Sequence, residues 1–253
     1  MNTTTQPTPR AQDSPTRDHR LLGRSALLGL VLFAVSIATF APEQAPDPGN
    51  ATAADVRRFS ADNAGTLQMN TLAALASVLL LVMLVAVLAQ QVRQVKPTST
   101  GPGVMLTLAA IIAMQSMFTI AVASVFARPD QLAEAEDGAV ATLYRLTAVS
   151  EWLYSLTLLV PCMALVGTYS WLALRSHLVA RWVGWSGAVI ATTGVFTLVG
   201  HVVPSLKVDT FVVPLFGWWL WPGLVGGTSA LRWWKSRVRG TSEPVPNRTL
   251  SAR

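Results

Sequence analysis

Charge is what this chain is short of. Only 13% of its 253 residues are Asp, Glu, Lys or Arg, against about 25% in an ordinary soluble domain. Cysteine is nearly missing too. Cys162 stands alone in an apolar run, which excludes an intrachain disulfide, a thiolate metal cluster and a CxxC redox pair, and makes it a packing residue. Histidine is confined to His19, His177 and His201, and the topology derived below divides these between the two membrane faces, so they cannot form a three-histidine metal site. The signatures HExxH, GxSxG, GxxxxGK[ST] and GxGxxG do not occur, which removes the usual metallopeptidase, hydrolase and phosphate-binding readings. No cofactor and no metal are expected.

What the chain has is apolar length: 51% of its residues are hydrophobic and its mean hydropathy is +0.44. Charges cut it into six neutral intervals, at 25–42, 63–92, 97–127, 152–174, 182–206 and 210–231. Each suits a membrane-spanning helix of roughly 20 residues, allowing for tilt. Most lack the alternation of polar and apolar residues that a membrane barrel needs. The expected fold is all-α: a polytopic transmembrane bundle of six helices, near 23–41, 70–91, 104–127, 149–172, 182–203 and 211–231. The domain organisation is then a disordered tail at 1–22, a transmembrane domain at 23–233 and a basic tail at 234–253.

Lysine and arginine set the orientation. One side collects Arg10, Arg17, Arg20 and Arg24, the pairs Arg93/Lys96 and Arg175/Arg181, and six more after Leu231, which is 14 of the 19 basic residues. The other side holds Arg57, Arg58, Arg128, Arg145 and Lys207, together with ten of the thirteen acidic residues. Basic loops stay in the cytoplasm, so both termini are expected there. Abundant arginine and alanine point to a bacterial inner membrane. The first span also resembles a signal peptide, since Thr39-Phe40-Ala41 precedes several prolines. Its apolar stretch exceeds the roughly 7–15 residues of a signal core, so it is expected to be retained. Outside, 42–62 reads as a Pro/Gly linker followed by a short surface helix, and the acidic stretch 129–148 as a second surface helix.

No charged side chain lies in the middle of a span. Such charges are expensive and usually mark relays or substrate paths, so ion-coupled transport loses support. The nearest candidates form an outer polar cluster: Glu151 and Tyr154 at the start of span four, Arg145 just before it, and His201 near the end of span five. A ligand site and a first-turn Glu favoured by the positive helix end are both compatible with Glu151. An enzyme would have to use this set. Within the membrane, Gln115 and Thr119 lie in span three, and Thr193 and Thr197 in span five. Thr107, Ile111, Gln115 and Thr119 share one helical face, which should point into the bundle. That face serves either packing or a small polar cavity.

Gly184, Gly187, Ala191 and Gly194 form a small-residue strip on span five, and Gly223 and Gly227 form a GxxxG pair on span six. Both patterns permit close helix packing. Trp218, Trp219, Trp221, Trp233 and Trp234 read as interfacial anchors. They do not alternate with basic residues as a base-stacking groove requires, so nucleic acid is not an expected partner. The expected partners are membrane lipids, including anionic headgroups at the cytoplasmic face, with room for an unidentified membrane protein partner.

Residues 175–187, RSHLVARWVGWSG, form the basic turn between spans four and five. Arg175, Ser176, Leu178, Arg181 and Trp182 in this turn, together with the stretch FSADNAGTLQMNTLAALASVLL, resemble poorly characterised bacterial multi-helix membrane proteins, particularly actinobacterial ones, that carry a domain of unknown function. Ala180 stands where those proteins often have proline, and Val183 replaces a leucine. The resemblance covers roughly residues 24–234 and implies a membrane bundle of unassigned role with no catalytic residue to transfer. The expected function is a structural, binding or sensing module. A small-molecule transporter is the alternative, and a membrane-embedded enzyme comes third.

Overall fold

The computed structural model describes residues 15–38, 45–176, 178–202 and 212–240, with side chains described for 20–37, 45–146, 158–176, 178–199 and 216–238. Regular structure among them is entirely helical: α1 (Pro15–Ala38), α2 (Ala53–Val95), α3 (Gly101–Phe126), α4 (Pro129–Glu134), α5 (Asp137–Ser176), α6 (Arg181–Val202) and α7 (Val212–Gly240). Five of these are long and apolar enough to cross a membrane: α1 through 20–37, α2, α3, α5 through 158–176 and α6 through 181–199. The described part of α7 is not among the five, because its tryptophans, prolines and glycines dilute its apolar content.

The helices outrun the spans expected of them. α1 begins at Pro15, inside the stretch expected to be a structureless tail. α7 continues to Gly240 and takes in much of the basic tail. The surface helix expected before span two is instead continuous with it, giving one helix of 43 residues. At 1.5 Å per residue that is roughly 65 Å, about twice a bilayer's hydrocarbon core. Thr52 starts it. The Thr52 hydroxyl accepts from the Asp55 N–H at 3.3 Å, and the Asp55 carboxylate accepts from the Thr52 N–H at 3.0 Å. This reciprocal cap is followed by no proline, so nothing divides the surface part from the apolar part. Asn50 belongs to the turn just before this cap, its side-chain amide donating to the Asp47 carboxylate at 2.7 Å. The acidic surface helix is split between α4 and the first turns of α5, a helix of 40 residues that runs through Pro161 without a break.

Around the bundle the neighbours run α7, α1, α2, α3, α5, α6 and back to α7, with α2 touching α5 across the middle. The main core is drawn from all six long helices, and includes Leu84 and Leu88 of α2, Met105 of α3, Leu165 of α5, Val183 of α6 and Val225 of α7. One end of the bundle carries the basic turns at 96–100 and 178–180 and the ends of α1 and α7 at Arg20 and Arg237; we call it the basic end. The other carries α4 and the segments flanking it; we call it the cap end.

Small residues make the two tightest seams. Between α5 and α6, a Cβ at Gly187 would run into the Ser170 hydroxyl, one at Gly194 into Met163, and one at Gly184 would lie 2.6 Å from Leu174. The strip expected on this helix is the surface α5 packs against. Between α1 and α7 the contact is backbone to backbone. A Cβ at Gly29 would sit 2.6 Å from the Pro222 carbonyl oxygen and 2.8 Å from the Gly226 Cα. The GxxxG expectation therefore needs correction: Gly226 faces the partner helix at closest range, a Cβ at Gly223 would lie 3.0 Å from the Phe33 ring, and Gly227 has open space beside it.

A second, smaller core builds the cap end. Val56 of α2, Phe126 of α3, Leu132 of α4, and Val140 and Tyr144 of α5 are buried together with Ala51 and Ala53. Arg57 ties this unit. Its Nε donates to the Leu132 carbonyl at 2.9 Å, and its two terminal nitrogens donate to the Ala135 carbonyl and the Asp137 carboxylate, both at 2.6 Å. Ser60 donates to the Phe126 carbonyl at 2.6 Å and Tyr144 to the Pro46 carbonyl at 2.7 Å. The bonds to Phe126, Leu132 and Ala135 satisfy carbonyls exposed where α3 and α4 end.

Candidate functional site

Below the cap the bundle does not close. A cavity of about 370 Å³ lies between α1, α2, α3, α5 and α7. From α2 it is lined by Leu67, Asn70, Thr71, Ala74, Ser77, Val78 and Leu81, and from α3 by Ile112, Ser116, Thr119, Ile120 and Ala123. These positions recur at helical spacing, so each helix presents one continuous face. Leu32 and Ser36 of α1 and Leu158 of α5 line it as well, with Trp218, Trp219 and Pro222 of α7.

Chemically the lining is apolar, with a few hydroxyls, one amide and two indoles. Among the described residues, no ionisable side chain lines it. Most of its hydroxyls are internally satisfied: Thr71 donates to the Leu67 carbonyl at 2.7 Å and Thr119 to the Gln115 carbonyl at 3.3 Å. Ser77 differs, because its Oγ is buried and finds no hydrogen-bond partner among the described residues. A buried polar atom left in that state costs about 1–3 kcal/mol. A pocket of this size and polarity fits a small amphiphilic ligand held by shape and one or two hydrogen bonds.

The tryptophans at this end are not membrane anchors. Trp218 and Trp219 are half-buried lining residues, and Trp221 is fully buried. Trp221 stacks on Trp218 with ring centroids 6.3 Å apart and meets Tyr169 edge-on at 5.5 Å. Spacing misleads here, because α7 turns these indoles toward α1 and α5 rather than toward lipid. By contrast, Trp182, Trp185 and Trp234 are exposed at the basic end, as a headgroup position requires.

The polar residues singled out in the sequence do not form one site. Thr119 lines the cavity, while Gln115, Thr193 and Thr197 are not among its lining residues. Gln115 has a buried Oε1 with no partner among the described residues. Thr193 and Thr197 bond to carbonyls of their own helix, at Ile190 and Thr193. The bundle-facing stripe of α3 is Met105, Ala109, Ile112 and Ser116, and Thr107 is exposed. The face expected from Thr107 and Gln115 is therefore displaced by one residue. α3 is apolar nearly all round, so its few polar residues were a poor marker of the inward side. Of the outer cluster, Arg145 is exposed; the side chains of Glu151, Tyr154 and His201 lie outside the described residues, as does His177 in the basic turn. No group of three metal-ligating side chains occurs among the described residues.

Signals for what was missed are partly present in the sequence. Ser36, Asn70, Ser77 and Ser116 are small polar residues inside apolar runs, and reading them together with Thr119 marks three faces of one space. Nothing local announces Arg57, whose partners are main-chain carbonyls 75 and 78 residues away.

At the basic end, α1 and α2 are pinned by Gln91. Its amide donates to Ser25 Oγ at 3.0 Å and to the Leu21 carbonyl at 3.2 Å. Beside this tie, the first turns of α1 and the last turns of α7 enclose an open cleft lined by Arg20, Gly23, Arg24, Trp233 and Arg237.

Residues 23–234 match the family described as Domain of unknown function (DUF4386), and the chain belongs to that family. No curated protein and no solved structure matches the chain. The family is one of uncharacterised multi-helix proteins with membrane-spanning helices.

Proposed function

We propose that this member of the DUF4386 family spans a bacterial plasma membrane six times and binds an uncharged amphiphile in the cavity beneath its cap. In this reading α7 is the sixth span, both termini are cytoplasmic and the cap end faces outward. The excess of arginine and lysine at the basic end supports that orientation. So does α7's position, packed between α1 and α6 as part of the ring. Retention of α1 is supported by its backbone contact with α7 at Gly29 and Gly226. Cysteines placed at Ala45, Thr98, Ala135 and Gly240 test the orientation. An external impermeant reagent should label the first and third and spare the other two.

The observation that carries the binding reading is a cavity with several hydroxyls and no charge among its described lining residues. An anionic or cationic ligand would be desolvated there without a partner, at a cost of several kcal/mol. A molecule with a mainly apolar body and one hydroxyl or carbonyl would fill the space and supply Ser77 with a hydrogen bond. Binding is favoured over transport because the basic half of the same helices is filled by Leu84, Leu88, Val92, Met105 and Leu165, each fully buried. The test is photolabelling of the full chain in liposomes with a diazirine-bearing long-chain alcohol. Unlabelled alcohol should compete and the matching carboxylate should not. Ala74→Phe, which fills the cavity, should abolish competable labelling at unchanged thermal stability. Equal labelling of Ala74→Phe, or equal competition by the carboxylate, would overturn the reading.

A further inference from the structure

Pro222 lies inside α7, and the helix continues on both sides of it. Proline has no N–H, so the Trp218 carbonyl, one turn earlier, receives no hydrogen bond from that position. Inside a membrane a carbonyl freed in this way is satisfied by a neighbouring side chain, a water or a ligand. Helix carbonyls point toward the residue one turn ahead, and Trp218 and Pro222 both line the cavity beneath the cap. The freed carbonyl is therefore presented to the same space as Ser77, whose buried hydroxyl has no hydrogen-bond partner among the described residues.

This turn of α7 is firmly held. A Cβ at Gly29 would lie 2.6 Å from the Pro222 carbonyl oxygen, so α1 backs the turn directly. Trp218 stacks on the fully buried Trp221 with 7° between the ring planes, and Trp221 meets Tyr169 of α5 edge-on at 82°. The turn cannot swing without breaking one of these contacts. An acceptor fixed in this way costs an arriving ligand little ordering.

We propose that Pro222 sets the ligand class of this cavity. By leaving the Trp218 carbonyl as an acceptor, it makes the site select an apolar alcohol over an ether, ketone or ester. The ligand oxygen accepts from Ser77 Oγ and its O–H donates to the Trp218 carbonyl, so one hydroxyl serves both protein groups. An oxygen that carries no hydrogen serves Ser77 alone and leaves the carbonyl without a donor. This inference rests on the binding reading above and narrows it.

The test is photolabelling of the full chain in liposomes with the diazirine alcohol, against two unlabelled competitors: a long-chain alcohol and its methyl ether. The alcohol should compete about tenfold better, equivalent to about 1.4 kcal/mol, near the net worth of one hydrogen bond. Pro222→Ala restores the N–H that the Trp218 carbonyl lacks and should reduce the preference to about threefold or less. Comparing the ratio between the two proteins cancels the ether's extra methyl group and its different partition into the bilayer. Ser77→Ala should weaken both competitors and leave their ratio unchanged. Pro222→Ala exchanges a proline for a good helix former, and a cooperative melt in detergent checks that each variant is folded. The comparison on the unsubstituted chain stands without either variant. Absence of competable labelling there would sink the binding reading itself. With binding intact, three results would overturn this inference: equal competition by alcohol and ether, the full preference retained in Pro222→Ala, or the preference lost in Ser77→Ala instead.

Discussion

Along α2, Leu84, Val85, Leu88 and Val92 are sealed among neighbouring helices, whereas Asn70, Thr71, Ala74 and Ser77 a few turns earlier face a cavity of about 370 Å³. The same helices thus close at the basic half and stay apart at the cap half. Side-chain volume explains the difference. The basic half sets large side chains such as Leu84, Leu88, Met105 and Leu165 into one core cluster. The cap half places Ala74, Ser77, Ser116 and Ala123 opposite one another, and none is large enough to fill the gap. The spacing is held from above by the Arg57 ties and from the side by the α1–α7 seam. A bundle stabilised chiefly by packing keeps such a gap only where its surroundings prevent collapse.

The largest expected effect is at that side seam. Gly29→Ala places a methyl group against backbone atoms that cannot rotate away, so it should destabilise the protein by about 3 kcal/mol, near the upper range for overpacking. Gly227→Ala, with open space beside it, should be neutral within about 0.5 kcal/mol. Thermal unfolding in detergent measures both. Equal effects would mean that the seam does not hold the halves apart.

Next comes the cap. Arg57→Ala leaves the Leu132 and Ala135 carbonyls without their donor and should cost about 2 kcal/mol, read as faster amide exchange through α4. Asp137→Asn should cost under about 1 kcal/mol, because the Asp137 side chain is 81% exposed and such pairs contribute little. If the two substitutions were equivalent, the ion pair rather than the carbonyl ties would support the cap.

The packed seam gives a smaller and reversible effect. Gly187→Ala should destabilise by about 1–2 kcal/mol, and adding Ser170→Ala should restore most of it, because the clash is with the Ser170 hydroxyl. Smallest is Ser77→Ala. Removing a buried hydroxyl that has no protein partner should raise stability by about 1 kcal/mol in the absence of ligand while weakening ligand binding. A loss of stability would mean that Ser77 is already satisfied.

Sequence periodicity was informative where small residues recur at helical spacing. The α6 strip was legible because Gly184, Gly187 and Gly194 stand out against large apolar neighbours. On α7, where Gly223, Gly226 and Gly227 crowd together, spacing could not choose among them, and the close contact went to Gly226. Trp221 was misread because one residue type serves both headgroup anchoring and burial, and only the direction of α7 separates the two. The continuity of α2 was obscured by Asp55, Arg57, Arg58 and Asp62, which look like a surface segment yet extend the same helix. The cavity depends on five helices at once, so no single stretch could announce it.

The most direct measurement is the position of the photolabel. After irradiation with the diazirine alcohol, peptide mapping should place competable adducts on 67–81 of α2 and 112–123 of α3, on residues such as Ser77 and Thr119 that face the cavity. Adducts confined to lipid-facing positions such as Met114, Phe118 and Phe196, all at least 60% exposed, would contradict the account.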